Sequence, residues 1–295
     1  MKHRIKKNII ISVAAVALIT CAALCFAYRD YLSATTRRIN IDKTVTAQSV
    51  MTFNVRNLSP TESSESNWLR RAPAICDMLQ KTLPSIICMQ ENNGLQYRFF
   101  KRFLKGYDSV AAKRDPAVIS EYLPVFFRSD MYESEQTGTF WLSDTPDVMS
   151  NTWDSAYFRI CTYVVLKNKR TNKKFIVGNA HLDYKSLETR IKSIQLIYDR
   201  LSVFNHPSIV AGDFNCEPGS KTMKFAKRYY IDAGQGFEDE NKGTFNGFKN
   251  DCPNEKVDYI LQTPGSFTVK NYKVIDKRYS DIFVSDHFPV YAEME

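Results

Sequence analysis

The segment Ser208-Ile209-Val210-Ala211-Gly212-Asp213-Phe214-Asn215 reads as a short buried strand that stops on a glycine and then presents an aspartate and an asparagine. The same arrangement recurs along the chain. An apolar run ends at Asn54, another runs into Glu91, a third into His181 with Asp183 two residues on, and Asp286 with His287 closes the series. Asp258 interrupts a strand at Val257-Asp258-Tyr259. A lone Asp at a strand end is usually a turn or cap residue. Five such placements, together with an Asp inside a strand, point instead to a site assembled at one edge of a sheet, where strand ends converge.

Around that edge, strand-like and helix-like stretches alternate. Apolar runs rich in Val, Ile, Phe and Tyr predict strands at 49–54, 85–90, 122–127, 159–166, 174–180, 208–211, 256–261, 267–274 and 289–293. Residues 186–204 predict the best helix, with Leu187, Ile191, Ile194, Tyr198 and Leu201 on one face. Residues 74–80 predict another, with Pro73 near its first turn. Strands outnumber helices, and the pattern is α/β of the α+β kind in one domain over 47–295.

The chain has 295 residues and 44% hydrophobic content, enough for a sizeable core. Its net charge of +8 is uneven: Lys2, Arg4, Lys6 and Lys7 carry half of it, and no acidic residue precedes position 28. The mild remainder suits a phosphate-bearing ligand without demanding a nucleic acid. Seven cysteines without a CxxC pair argue against a zinc site or a disulfide scaffold.

Residues 1–8 form a basic N-terminus, and 9–27 are uncharged and apolar. At 1.5 Å per residue this run nearly spans a bilayer core, so it predicts a transmembrane signal anchor, or else a cleavable signal peptide. Residues 28–46 then read as a linker. The anchor reading makes the inner membrane a partner through the N-terminal segment. Either reading puts the domain outside the cytoplasm, periplasmic or extracellular, and secreted if the segment is cleaved.

Residue types narrow the chemistry. Carboxylates and amide oxygens are hard ligands, suited to Mg²⁺ or Mn²⁺. Histidines beside them suit proton transfer or phosphate contact. There is no GxSxG elbow, Walker loop or HExxH. Metal-assisted hydrolysis by water is what remains.

The ordered set Thr52-Phe53-Asn54-Val55-Arg56, Met89-Gln90-Glu91, Asn179-Ala180-His181-Leu182-Asp183, Gly212-Asp213-Phe214-Asn215, Val257-Asp258-Tyr259 and Ser285-Asp286-His287-Phe288-Pro289-Val290 resembles the endonuclease/exonuclease/phosphatase superfamily of DNase I-like phosphohydrolases. The segment from Thr139 to Pro146, with Trp153-Asp154, is similar to a bacterial branch of metal-dependent hydrolases, here as an anchored or exported member.

The resemblance implies a four-layer fold, two packed mixed β-sheets flanked by helices. It implies metal binding by Asn54, Glu91 and Asp286. Asp213 would orient or deprotonate the attacking water, and Asn215 would hold a phosphoryl oxygen or the metal. His287 would contact the phosphate, oriented by Asp258, and His181 would contact it from the opposite side. Arg56, Arg159 and Asp183 are the remaining substrate-side candidates, and Asp183 serves equally well as a helix cap. The chain departs from many members at Ala180, where they carry Thr, and at Tyr184, where they carry a second His.

The expected activity is hydrolysis of phosphoester bonds, diesters foremost, by activated-water attack in a monomer. Two rivals are a nuclease acting on DNA or RNA, disfavoured by the mild charge, and a catalytically inactive tethered binding domain, disfavoured by the intact ligand set. Specificity is expected in residues 92–102, 113–122, 144–157 and 238–251, whose Trp153, Tyr157, Phe245 and Phe248 either stack on substrate or pack the loops.

Overall fold

Alternation of side chains along the central strands builds two separate faces into each sheet. The computed structural model describes residues 16–18, 20–22, 28–59, 61–62, 66–250 and 255–295. In β1 (Ser49–Asn54), Val50 points to one side, against residues such as Ile86 and Val125, while Met51 and Phe53 point to the other. This period-two alternation, with both faces apolar, is why the strand reads as an unbroken hydrophobic run.

The remaining strands are β2 (Ile86–Gln90), β3 (Asn92–Asn93), β4 (Tyr107–Val110), β5 (Glu121–Tyr122), β6 (Val125–Arg128), β7 (Tyr132–Trp141), β8 (Ile160–Asn168), β9 (Lys174–His181), β10 (Ser208–Asp213), β11 (Ile231–Asp232), β12 (Asp258–Gln262), β13 (Val269–Val274) and β14 (Val290–Met294). One six-stranded sheet has the order β13-β14-β1-β2-β6-β4, a second has β11-β12-β10-β9-β8-β7, and β3 pairs with β5 alone. Both large sheets are mixed: β1 runs parallel to β2 and antiparallel to β14, and β10 runs parallel to β9 and antiparallel to β12.

Three apolar clusters hold four layers together. Val50, Ile86, Val125, Val164, Val177, Ile209 and Ile260 interleave between the sheets. On the outer face of the first sheet, Met51, Phe53 and Ile87 meet the helices α1 (Arg29–Thr36), α2 (Trp68–Thr82) and α3 (Gly94–Phe103). On the outer face of the second, Cys161, Ile176 and Val210 meet α4 (Leu187–Ser202) and α5 (Lys221–Ala226). The expected four-layer arrangement of two mixed sheets flanked by helices is what the chain forms.

Several elements differ from their sequence reading. Helix α2 begins at Trp68 rather than 74, because the Asn67 side chain caps Leu69 N, and Pro73 therefore lies inside the helix. Residues 92–102, expected as a specificity loop, contain α3, started by a capping box in which Asn93 and Gln96 satisfy each other's backbone. Strand β7 went unpredicted because its middle is polar and solvent-facing. Residues 28–46, read as a linker, include α1, and Ala34 and Ile39 pack into the core of the first sheet.

The membrane expectation is corrected. Among the described residues no helix is long and apolar enough to cross a membrane. The expectations of a transmembrane helix at 9–27, of the inner membrane as partner and of an anchored location outside the cytoplasm are cut back to that statement. Within that run, residues 9–15, 19 and 23–27 lie outside the described residues, as does the basic stretch 1–8.

Candidate active site

Strand register brings the polar residues together. Asp213 is the last residue of β10, paired with His181 on β9 and with Asp258 on β12. Gly212 makes this crowding feasible, since a Cβ there would sit 1.8 Å from the Ala180 carbonyl oxygen. In the other sheet Asn54 pairs with Gln90, and Glu91 follows at once. Gln90 Nε2 donates to Asn179 Oδ1 at 2.7 Å, and Asn179 Nδ2 donates to the Met89 carbonyl at 2.8 Å. These buried bonds stitch the two sheets together directly beneath the strand ends.

Asp213 is the convergence point. Its Oδ2 accepts from Asn54 Nδ2 at 3.0 Å and lies 3.5 Å from His181 Nε2 and 3.8 Å from His287 Nε2. Its Oδ1 accepts from the Asn215 backbone N–H at 2.9 Å, an Asx turn with Asn215 in the left-handed region at φ 48°. Asn215 Nδ2 in turn donates to the Leu182 carbonyl at 3.0 Å. His287 donates through Nδ1 to Asp258 Oδ2 at 2.9 Å.

Glu91 adjoins this centre, accepting from Asn54 Nδ2 at 3.3 Å and from the Asn57 backbone N–H at 3.2 Å. Arg56 stands beside it, its guanidinium 3.6 Å from Asp286 Oδ2, 3.9 Å from Glu91 Oε2 and 3.3 Å from Glu62 Oε1. On another wall the Tyr157 ring lies 5.2 and 5.7 Å from the guanidinium groups of Arg114 and Arg159. The cleft between these walls has a volume of about 780 Å³ and opens onto His181, Asp213, Asn215, Asp286 and His287.

Burial and neighbouring charge divide the titratable groups. Burial pushes the Asp213 carboxyl up to about 7, with the Asp258 charge adding to the rise. Asp286 is raised by burial as well. Burial, with Arg159 and Arg114 nearby, holds His181 well below the ordinary histidine value. Burial acts the same way on His287, but the Asp258 charge and hydrogen bond outweigh it and keep that ring well above its usual value.

A divalent cation fits these residues. One donor atom each from Asp213, Asp258 and His287 lies within 4.8 Å of the others. Asp258 Oδ1 is buried without a hydrogen-bond partner among the described residues. The site concentrates hard oxygen donors whose ionised form burial disfavours, which a cation such as Mg²⁺ or Mn²⁺ would compensate.

Eight of the sequence candidates line the cleft: Arg56, Glu91, Arg159, His181, Asp213, Asn215, Asp286 and His287. Asn54 and Asp258 are buried behind it, Asn54 bonded to Glu91 and Asp213 and Asp258 bonded to His287. Asp183 faces away: Oδ1 accepts from the Lys185 and Ser186 backbone, and Oδ2 accepts from Ser155 Oγ and Ala156 N. Its geometry is that of a cap and loop clasp.

Sequence reading missed Asn57, Glu62, Arg71, Arg114 and Glu121. Arg71 carried a usable signal, because it shares the apolar face of α2 with Trp68, Ala72 and Ile75. Among the loop aromatics, Phe245 packs edge-on against His287 at 5.1 Å, and Trp153 packs into the core of the second sheet.

The comparisons with known proteins agree with this architecture. The model of the Endonuclease/Exonuclease/phosphatase family matches residues 51–287. The structure of an endonuclease/exonuclease/phosphatase from Bacteroides vulgatus superposes with a TM-score of 0.77 and 30% identity, over 85% of this chain and 99% of that one. A mannosyl-6-phosphatase from Bacteroides thetaiotaomicron superposes at 0.76 with 31% identity, over 84% and 100%. An uncharacterized protein of Acanthamoeba polyphaga mimivirus is 27% identical over 261 residues, 82% of this chain and 97% of that protein.

Proposed function

We propose, from the fact that the chain belongs to the endonuclease/exonuclease/phosphatase family, that its metal-dependent phosphoesterase site acts on phosphomonoesters of small polyhydroxylated molecules such as sugars. The observation that carries the reaction class is the single Asp213 carboxylate held by Asn54 and Asn215 and faced by two histidines of opposite proton affinity.

In this reading Asp213 orients and deprotonates the water that attacks phosphorus. Asn215, on the same turn, contacts a phosphoryl oxygen. His287, kept protonated by Asp258, stabilises the charge that develops on the phosphoryl group, and neutral His181 faces it from the other side. Glu91, Asp286 and Asn54 would hold Mg²⁺ or Mn²⁺ at the adjoining edge. When bound there, the ion supplies Lewis-acid polarisation of the phosphoryl oxygens. Keeping the ion on these oxygens leaves the His287–Asp258 hydrogen bond intact.

Three features support a sugar monoester. A phosphomonoester carries nearly two negative charges at neutral pH, against one for a diester. Arg56, Arg114 and Arg159 line the cleft; Arg56 and Arg114 are already paired with carboxylates, and Arg159 has its Nε buried without a hydrogen-bond partner among the described residues. The similar Bacteroides thetaiotaomicron protein is a mannosyl-6-phosphatase. Exposed Tyr157 and Tyr184, in ring contact at 6.1 Å, offer a surface for a sugar face. The diester expected from sequence is the second reading, favoured by the open mouth of the cleft.

The deciding experiment is a metal-supplemented panel of sugar phosphates, aryl phosphodiesters and nucleic acids, run with wild type and Asp213→Ala. Turnover of monoesters alone, lost in the variant and in excess chelator, is the expected result. Preferential cleavage of diesters would reverse the substrate reading, and turnover undiminished by Asp213→Ala would remove the mechanism.

A further inference from the structure

We propose that Arg56 is an exchangeable counter-ion, neutralising Glu91 and Asp286 in the metal-free protein and passing to Glu62 when a divalent cation enters. The inference rests on the reading that Glu91 and Asp286 are cation ligands.

Arg56 sits where three carboxylates meet, within 3.9 Å of Glu62, Glu91 and Asp286. Its backbone is fixed: φ is 53°, the Arg56 N–H donates to Asn54 Oδ1 at 3.1 Å, and its carbonyl accepts from Arg71 and Gln96. Its side chain, 41% exposed, has room to swing. A guanidinium and a divalent ion on the same pair of carboxylates would repel each other, so one must yield.

Glu62 is built to receive the guanidinium. Only its Oε1 accepts from Arg56, at 3.3 Å. Its Oε2 is buried with no hydrogen-bond partner among the described residues, although a carboxylate can take an arginine with both oxygens. The nearest other cation, Arg71, is 3.9 Å from that oxygen and cannot close on it. Arg71 is fully buried and committed to the carbonyls of Ser66, Val55, Val284 and Arg56. The free oxygen of Glu62 therefore remains open to Arg56 moving a short distance away from Asp286.

The test is Mn²⁺ titration calorimetry on the full chain, with thermal melts of the metal-free proteins. Arg56→Met should bind Mn²⁺ roughly fivefold to tenfold more tightly, the scale of two partly exposed ion pairs removed, and its metal-free form should melt at a lower temperature. Glu62→Gln should bind Mn²⁺ severalfold more weakly. In the double variant the Glu62→Gln effect should disappear, since no guanidinium remains to be received.

An undiminished Glu62→Gln effect in the Arg56→Met background would mean simple long-range electrostatics and would overturn the exchange. Unchanged or weaker Mn²⁺ binding by Arg56→Met would overturn it too. Glu91→Ala separates the premise from the inference: Mn²⁺ binding equal to wild type in that variant removes the ligand assignment itself.

Discussion

His287 and Asp258 are 29 positions apart in sequence and joined by a 2.9 Å hydrogen bond from Nδ1 to Oδ2, which leaves Nε2 of the histidine directed at Asp213. The bond fixes the ring's orientation, and the Asp258 charge keeps the ring protonated above its ordinary range. Asp258→Asn keeps the shape and removes the charge. Its kcat should fall on the order of a hundredfold or more, the scale of losing one positioned proton-transfer group. The alkaline limb of the rate profile should also move toward lower pH, because His287 then loses its proton more readily. A kcat profile with the wild-type alkaline limb would count against the dyad.

Asp213 links metal affinity to pH. Its folded carboxyl is raised to about 7, above the 3.8 of the unfolded chain. In the metal-free protein the group therefore costs stability progressively as pH climbs from about 4 to about 7, because the unfolded chain releases its proton first. An ionised Asp213 beside the Glu91–Asp286 edge attracts a cation that a protonated one does not, so the rise in Tm on adding Mg²⁺ should grow over the same interval and level off above it. His287, whose proton affinity is raised, loses its own stabilising contribution at still higher pH, in the same direction. Asp213→Asn should flatten the metal-dependent rise between pH 5 and 7. Melting curves with and without Mg²⁺ at four pH values check this, and equal Mg²⁺ increments at pH 5 and 8 in wild type would contradict it.

The catalytic edge was legible because most of its residues follow an apolar run and Asp258 interrupts one, and both are visible in hydrophobic pattern alone. Asp213, His181 and Asp258 could be nominated one by one, but their adjacency depends on the pairing of β10 with β9 and β12, which no local signal carries. The supporting residues were harder to find. Arg71 acts through carbonyls that include one far away in sequence, at Val284, and Glu62 and Arg114 act through ion pairs within loops that carry no periodic pattern. Helix α3 was legible after all: Asn93 and Gln96 spell a capping box, and Phe99, Phe100 and Phe103 follow at helical spacing, so reading 92–102 as a loop passed over a signal that was present. For the N-terminal run, hydrophobicity and length satisfy the rule for a spanning helix, and no helix among the described residues meets it.

Arg71 clamps the loops that carry the site. Its guanidinium donates to the carbonyls of Ser66, Val55 and Arg56 on one side and of Val284 on the other, and it lies against the rings of Trp68 and Phe248. Arg71→Met should cost about 3 kcal/mol or more in urea unfolding, because orphaned buried carbonyls are expensive. Arg71→Lys should recover less than half of that, since an ammonium cannot reproduce the planar fork. A loss below about 1 kcal/mol in Arg71→Met would show that water replaces the clamp.

Asp183 separates stability from catalysis. The four hydrogen bonds to its carboxylate are accepted from residues 155–156 and 185–186, tying the loop that carries Tyr157 to the start of α4. Burial alone would raise its carboxyl, but those bonds outweigh it and hold the group below its ordinary value. Its stabilising contribution is thus complete above the unfolded value of 3.8 and lost as pH falls through the lower folded one. Asp183→Ala should lower stability by about 1–3 kcal/mol at neutral pH and raise KM for the phosphoester severalfold through a displaced Tyr157, with kcat nearly retained. The stability gap between wild type and variant should shrink as pH approaches 3. A collapse of kcat with KM unchanged would place Asp183 among the reacting groups instead, and a gap that stays constant down to pH 3 would deny that its charge supplies the clasp.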